Sequence, residues 1–225
     1  MFVGFAIIRY LRKLKEMATD TPFERLNNAD RIFLRERRRR IENYIKSVYD
    51  EISGERILDV AMGKWSLVKD IFPKLSVVGI DHKRPLLLPD DFCLVDCETE
   101  LPFKDAEFSL AFAGEIIEHL IFSSAQNLLK AISRVLRPDG YLLLTTPNGF
   151  RNTFKNILKR PTIAAHEKEF SFREIKKLLA NTGFKVIHSD GIQPVFVPWG
   201  VTTRFTSLKL QGFLSSQVIF FCQKI

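Results

Sequence analysis

Cysteine is scarce in this chain: Cys93, Cys97 and Cys222 are the only three among 225 residues. A disulfide scaffold needs a denser set, and a zinc site needs tight clusters with partner histidines, so both are excluded. The thiols are expected to be buried, in a cytoplasmic protein. Cys93 and Cys97 stand four apart, but on an extended segment that spacing makes no metal pair, and no metal is expected. A run of about 20 apolar residues is also missing, which excludes a membrane-crossing helix. Residues 1–8 are apolar but short, and Arg9, Arg12 and Lys13 follow them rather than precede them, the wrong order for a secretory signal. Internal repeats, low-complexity stretches and an aromatic-interleaved RNA motif are absent, so a nucleic-acid substrate is a minority reading.

What is present is a chain that is 46% hydrophobic, enough for a full core, with a net charge of +8. The charge is uneven, because residues 1–48 carry 12 Lys and Arg against 6 Asp and Glu. The sequence therefore divides into a basic helical arm, 1–52, and a domain, 53–225. In the arm, Ile7, Ile8, Leu11 and Leu14 share a face opposite Arg9, Arg12 and Lys13. Thr21-Pro22-Phe23-Glu24 has the form of a capping box with proline at the first helical position. Ile41, Tyr44, Ile45 and Val48 then make one buried stripe. The basic run 35–40, interrupted only by Glu36, reads as a solvated helix face, or as a surface for phosphates of RNA or acidic lipid. Residues 1–15 read equally as a peripheral membrane contact or as a helix packed on the domain.

Beyond Gly54 the period changes. Short apolar and β-branched runs at 56–61, 76–81, 92–95, 108–113, 141–146, 184–188 and 217–222 predict seven strands. Helical patterns lie between several of them. Ser123 with Gln126 is expected to cap one that buries Leu128, Leu129, Ile132 and Leu136. Ser171 with Glu174 caps another that buries Ile175, Leu178 and Leu179 before Gly183. Strands apolar on both faces and alternating with helices predict an α/β, Rossmann-like, mostly parallel seven-stranded sheet covered on both sides.

Ligands of such sheets bind beyond the C-terminal ends of the strands. The first strand, Ile57-Leu58-Asp59-Val60, turns through Ala61-Met62-Gly63 into a helix from about Ser66, and a glycine there lets backbone approach a ligand. The second strand ends in Asp81, placed to accept both hydroxyls of a ribose. The third ends near Asp96, within reach of an adenine edge. A dinucleotide-binding turn would show G-x-G-x-x-G, whereas this turn has a single glycine.

With these residues in this order, the sequence resembles the class I S-adenosylmethionine-dependent methyltransferases, in particular the small-molecule group whose first motif is D-x-G-x-G-x-G. Five segments between about residues 40 and 190 carry the resemblance. They are Ile57-Leu58-Asp59-Val60-Ala61-Met62-Gly63 and Val77-Val78-Gly79-Ile80-Asp81, then Asp96 with Leu101-Pro102-Phe103-Lys104-Asp105 and Phe108. Glu115-Ile116-Ile117-Glu118-His119-Leu120 follows, and last Leu136-Arg137-Pro138-Asp139-Gly140-Tyr141 with Thr145-Thr146-Pro147-Asn148. The resemblance implies S-adenosyl-L-methionine as cofactor. The backbone of Ala61, Met62 and Gly63 would line its methionine part, with Asp59 ordering water or its amino group. Asp81, with His82 beside it, would bind the ribose, and Asp96 and Cys97 would meet the adenine. Ala113 and Glu115 would sit beside the methionine moiety and the acceptor. His119, assisted by Glu118, is the first candidate base and His166 the second. The motif departs from the family at Ala61 and Trp65, where the family has glycines, and at Ser109, where it has aspartate.

The expected activity is methyl transfer to a small-molecule or lipid-like acceptor. The acceptor pocket is expected to draw on the arm, on 149–166 and on 193–214, where Val195-Phe196-Val197-Pro198-Trp199 is strongly apolar. A second reading keeps the fold without catalysis and gives the basic arm an RNA or membrane partner.

Overall fold

The computed structural model describes residues 28–96, 100–149, 167–168, 170–194 and 215–225. The first two arm patterns, Cys97, His166 and almost all of 193–214 lie outside these.

All seven strands form. They are β1 (Arg56–Val60), β2 (Ser76–Asp81), β3 (Asp91–Leu94), β4 (Phe108–Gly114), β5 (Leu136–Pro147), β6 (Phe184–Pro194) and β7 (Ser215–Lys224). They make one sheet in the order β3-β2-β1-β4-β5-β7-β6. The first five pair in parallel, and β7 runs antiparallel between β5 and β6. Strand order reverses at β1 and β4, so the crevice between their C-terminal ends is the natural ligand site.

Each face of the sheet carries its own core, because side chains alternate along a strand. On one face Leu58, Val60, Val78 and Ile80 meet Leu128, Leu129 and Ile132 of α4 (Phe122–Val135) and Ile175, Leu178 and Leu179 of α5 (Phe172–Ala180). On the other, Ile57, Val77, Leu110, Phe112, Leu143, Ile219 and Phe221 meet Val68 of α3 (Leu67–Ile71). Ile41 and Ile45 of α1 (Asn28–Ser47), Val48, and Ile52 of α2 (Tyr49–Ile52) complete this second core. The stripe read from the arm is therefore buried. Residues 41–52 are part of the domain's packing, and the division at residue 52 marks a change in charge rather than an edge of the core.

The capping box at Ser171 forms as expected, with the Glu174 N–H donating to Ser171 Oγ and the Ser171 N–H donating to the Glu174 carboxylate. The cap expected at Ser123 does not. Helix α4 begins two residues earlier than such a cap requires, behind an extended Ile121 that makes no side-chain cap, which leaves Ser123 inside the first turn. The ring of Phe122 lies 6.2 Å from that of Phe170, an apolar contact at the helix entry.

Candidate active site

The site is built from strand ends. At β1 the chain leaves the sheet through Ala61, whose φ of 53° is left-handed, and Gly63, with φ 71°. The Gly63 N–H donates to Asp81 Oδ2 at 2.9 Å, which ties the turn after β1 to the end of β2. The other Asp81 oxygen accepts from the Lys83 N–H at 2.9 Å and stands 3.1 Å from Nδ1 of an exposed His82. A carboxylate has about four acceptor positions, so Asp81 retains capacity for two hydroxyls. A Cβ built on Gly63 would meet nothing within 4 Å, which leaves room for a ligand over the turn. Trp65, the residue most at odds with the family motif, is 38% exposed and turned toward solvent. The residues present thus fit a nucleoside-bearing cofactor.

Met62 and Asp59 face inward. The Met62 side chain is buried, and a Cβ on Gly79 would come within 2.1 Å of its Sδ, so the bare backbone of β2 makes the space this thioether fills. Asp59 is buried and accepts from the hydroxyl of Ser66, which caps α3 by accepting from the Lys69 N–H at 3.1 Å. Burial pushes its carboxyl up to about 7. Hydrogen bonds from Ser66 and the Val68 backbone pull the other way, and nearby Asp81 adds to the rise. Asp96 is exposed just past β3.

A second cluster lies at the ends of β4 and β5. Glu115 has φ 55°, and its N–H donates to the Thr145 carbonyl at 2.9 Å. The Thr145 hydroxyl donates to Glu115 Oε1 at 2.8 Å and accepts from the Arg37 guanidinium at 2.9 Å; Arg37 is 3.5 Å from the same Glu115 oxygen. Glu118, on a 3-10 turn over Ile117–His119, is almost fully buried and accepts from the Thr146 hydroxyl at 2.9 Å. Burial drives its carboxyl well above the carboxylate range, and the charge of Glu115 drives it further. His119 is exposed on the same turn, so Glu118 points into the protein while its neighbour faces solvent. Ala113 is buried under the crevice.

Arg37, Thr145 and Thr146 had no assigned role in the sequence. The signal for Arg37 was nevertheless there: it precedes Ile41 by four residues and so continues the buried stripe one turn toward the N-terminus. Its neighbours on the basic run are largely neutralised within the chain. Arg39 and Arg40 both bind Glu36, whose carboxyl is lowered to about 2 mainly by its bond to Arg39, and Arg38 pairs with Asp70. Arg40 also lies 3.4 Å from Asp190.

Residues 58–144 match the family model described as a methyltransferase domain. A probable S-adenosylmethionine-dependent methyltransferase of Mycolicibacterium smegmatis is 29% identical over 163 residues, covering 68% of this chain and 61% of that protein. One of Mycobacterium tuberculosis is 35% identical over 93 residues, 41% of this chain and 32% of that protein. The chain thus spans about three-fifths or less of these relatives. Among solved structures, an S-adenosylmethionine-dependent methyltransferase of Archaeoglobus fulgidus superposes with TM-score 0.60 at 13% identity, over 83% of this chain and 94% of that one. The 1,6-didemethyltoxoflavin N1-methyltransferase of Burkholderia thailandensis, solved with S-adenosylhomocysteine, does so with TM-score 0.56 at 15% identity, over 97% and 85%. At these identities the two structures speak to fold alone. Residues 58–144 are thus similar to a methyltransferase domain, and the sheet has the fold of these S-adenosylmethionine-dependent methyltransferases.

Proposed function

We propose that the protein transfers a methyl group from S-adenosylmethionine to a small-molecule or lipid-like acceptor. The observation that carries this reading is the bond from Gly63 to Asp81, which sets an open glycine turn beside a carboxylate with spare acceptor capacity. Asp81 would hold the ribose hydroxyls, each such hydrogen bond to a charged group contributing about 1.5–3 kcal/mol. The backbone of 61–63 would lie along the methionine part, and Asp96 and Cys97 beside the adenine. When bound, the cofactor supplies a methyl group already activated on a sulfonium. The chain's own task is then to align the nucleophile and exclude water.

Glu115 and Glu118 border the acceptor side. An inward-facing carboxyl raised toward neutrality suits proton transfer to or from an acceptor. His119, exposed on its turn, would serve an acceptor that approaches from solvent, and His166 is the second candidate base. The apolar segment 193–214 favours an aliphatic or quinone-like acceptor. The rival reading, a non-catalytic protein binding through its basic helix, is weakened by the pairing of Arg38, Arg39 and Arg40 with carboxylates of the same chain. Among the described residues no helix is long and apolar enough to cross a membrane.

Calorimetric titration with S-adenosylmethionine tests the proposal. Saturable binding by the parent, lost in Asp81→Ala, supports it. Absence of binding at millimolar cofactor, with or without candidate acceptors, overturns it.

A further inference from the structure

Three consecutive leucines, Leu86, Leu87 and Leu88, lie between Pro85 and Pro89 in the loop after β2, and each is more than half exposed. Solvated loops rarely carry such a run, and a contiguous exposed apolar patch marks an interaction site. This loop is fixed rather than free: the N–H groups of Leu86 and Leu87 both donate to the carbonyl of Lys64, at 3.0 and 3.2 Å. The same bonds bring the loop against the turn after β1, where exposed Trp65 follows Lys64 directly.

Around these apolar residues the charge is of one sign on the near side. Lys64, Lys83 and Arg84 are exposed, and none is in an ion pair among the described residues. On the far side Asp90 and Asp91 border a recess that also includes Arg84, Leu88, Phe92 and an exposed Leu94. Their charge is met locally, Asp90 by Lys69 at 2.6 Å and Asp91 by Arg56 at 3.4 Å.

We propose that the loop 83–88, together with Lys64 and Trp65, docks this protein on an anionic lipid surface. The leucines and the indole would enter the boundary between head groups and acyl chains, where tryptophan is favoured, while the three cations meet lipid phosphates and carboxylates. A protein partner would have to cover three leucines and three cations together, whereas an anionic bilayer offers both an apolar phase and negative charge. The backbone bonds to Lys64 remove the ordering cost that a flexible loop would incur on insertion. The proposed surface draws on no residue of the segment 1–15 and does not depend on methyl transfer. Its position beside Gly63 and Asp81 would turn the mouth of the crevice toward the bilayer.

The test uses the full chain and vesicles of phosphatidylcholine with or without about a third phosphatidylserine. The parent is expected to sediment with the anionic vesicles and to be released as salt rises. Leu86→Ser with Leu87→Ser should reduce partitioning by at least about tenfold, since two leucine insertions are lost. Lys83→Glu with Arg84→Glu should act similarly at low salt. Both variants lie in an exposed loop, and an unchanged melting temperature confirms that they fold. In Trp199→Phe, which leaves Trp65 as the sole indole, emission should shift to the blue on anionic vesicles and be quenched by brominated acyl chains. Failure of the parent to bind anionic vesicles overturns the proposal. So does binding that both loop variants retain, or a parent dimer that the leucine variant converts to monomer without any vesicle binding.

Discussion

Arg37 and Thr145, 108 residues apart, meet across the sheet's upper edge, the guanidinium donating to the hydroxyl at 2.9 Å. Because the Thr145 hydroxyl in turn donates to Glu115, the helix before the sheet helps to hold the carboxylate just past the end of β4. The charge of Arg37 also lowers the carboxyl of the inward-facing Glu118, against the effect of burial.

Arg37→Ala should therefore destabilise the protein by about 1–3 kcal/mol, the usual cost of leaving buried charged partners unmatched. At this chain length that is a loss of roughly 2–4 °C in melting temperature per kcal/mol. Arg37→Lys should recover part of it. A melting temperature unchanged in the alanine variant would mean that the guanidinium is not holding Glu115.

The left-handed Ala61 predicts the opposite sign. An L-residue at φ 53° carries about 1–2 kcal/mol of strain that glycine avoids, offset in part by glycine's greater freedom when unfolded. Ala61→Gly should raise the melting temperature by a few degrees. A fall would show that the methyl group packs favourably enough to outweigh its backbone.

Gly79 and Met62 should behave as a coupled pair. Gly79→Ala is expected to cost about 1–3 kcal/mol by overpacking, since its new methyl group would occupy the place of Met62 Sδ. Adding Met62→Ala removes the obstruction, so the double variant should be more stable than the sum of the single effects, measured by denaturant unfolding. Strict additivity would refute the contact.

Glu118→Gln reports on pH. The folded carboxyl is raised above its unfolded value of about 4.3, so below that value both states are protonated and the group costs nothing. As pH rises through the raised folded value, the unfolded chain ionises first and stability is lost. Buried Asp59, raised to about 7, acts with the same sign. The glutamine variant should match the parent near pH 4 and exceed it increasingly toward pH 8, read as the difference in melting temperature. A variant less stable than the parent at pH 8 would argue that Glu118 is held as a stabilised anion.

The strands were legible because each is a short apolar run closed by a turn signal, and the capping box at Ser171 because both of its partners are local. The place of Asp81 at the end of β2 and of Gly63 in the turn after β1 was legible for the same reason. What depended on distant contacts was not. The basic run looked uniform in sequence, yet Arg37 alone continues the stripe of Ile41 and Ile45 into the crevice, while Arg38, Arg39 and Arg40 spend their charge on Asp70, Glu36 and Asp190. The left-handed backbone at Ala61 was hidden because the residue type gives no warning of it. At Ser123 a sound local pattern failed to become a cap because the helix starts at Phe122, two positions too soon.

The place of β7 has a consequence for how the molecule is made. Strand β6 has no bond to β5 and joins the sheet only through β7, which lies later in the chain. While the polypeptide is emerging from the ribosome, β1 to β5 can assemble in order, but β6 must wait, with one edge of β5 open, until residues 215–224 arrive. That interval is when an unpaired edge is most exposed to other chains. Aggregation during synthesis should therefore respond most to changes in β5 and β6, even where the finished protein is equally stable.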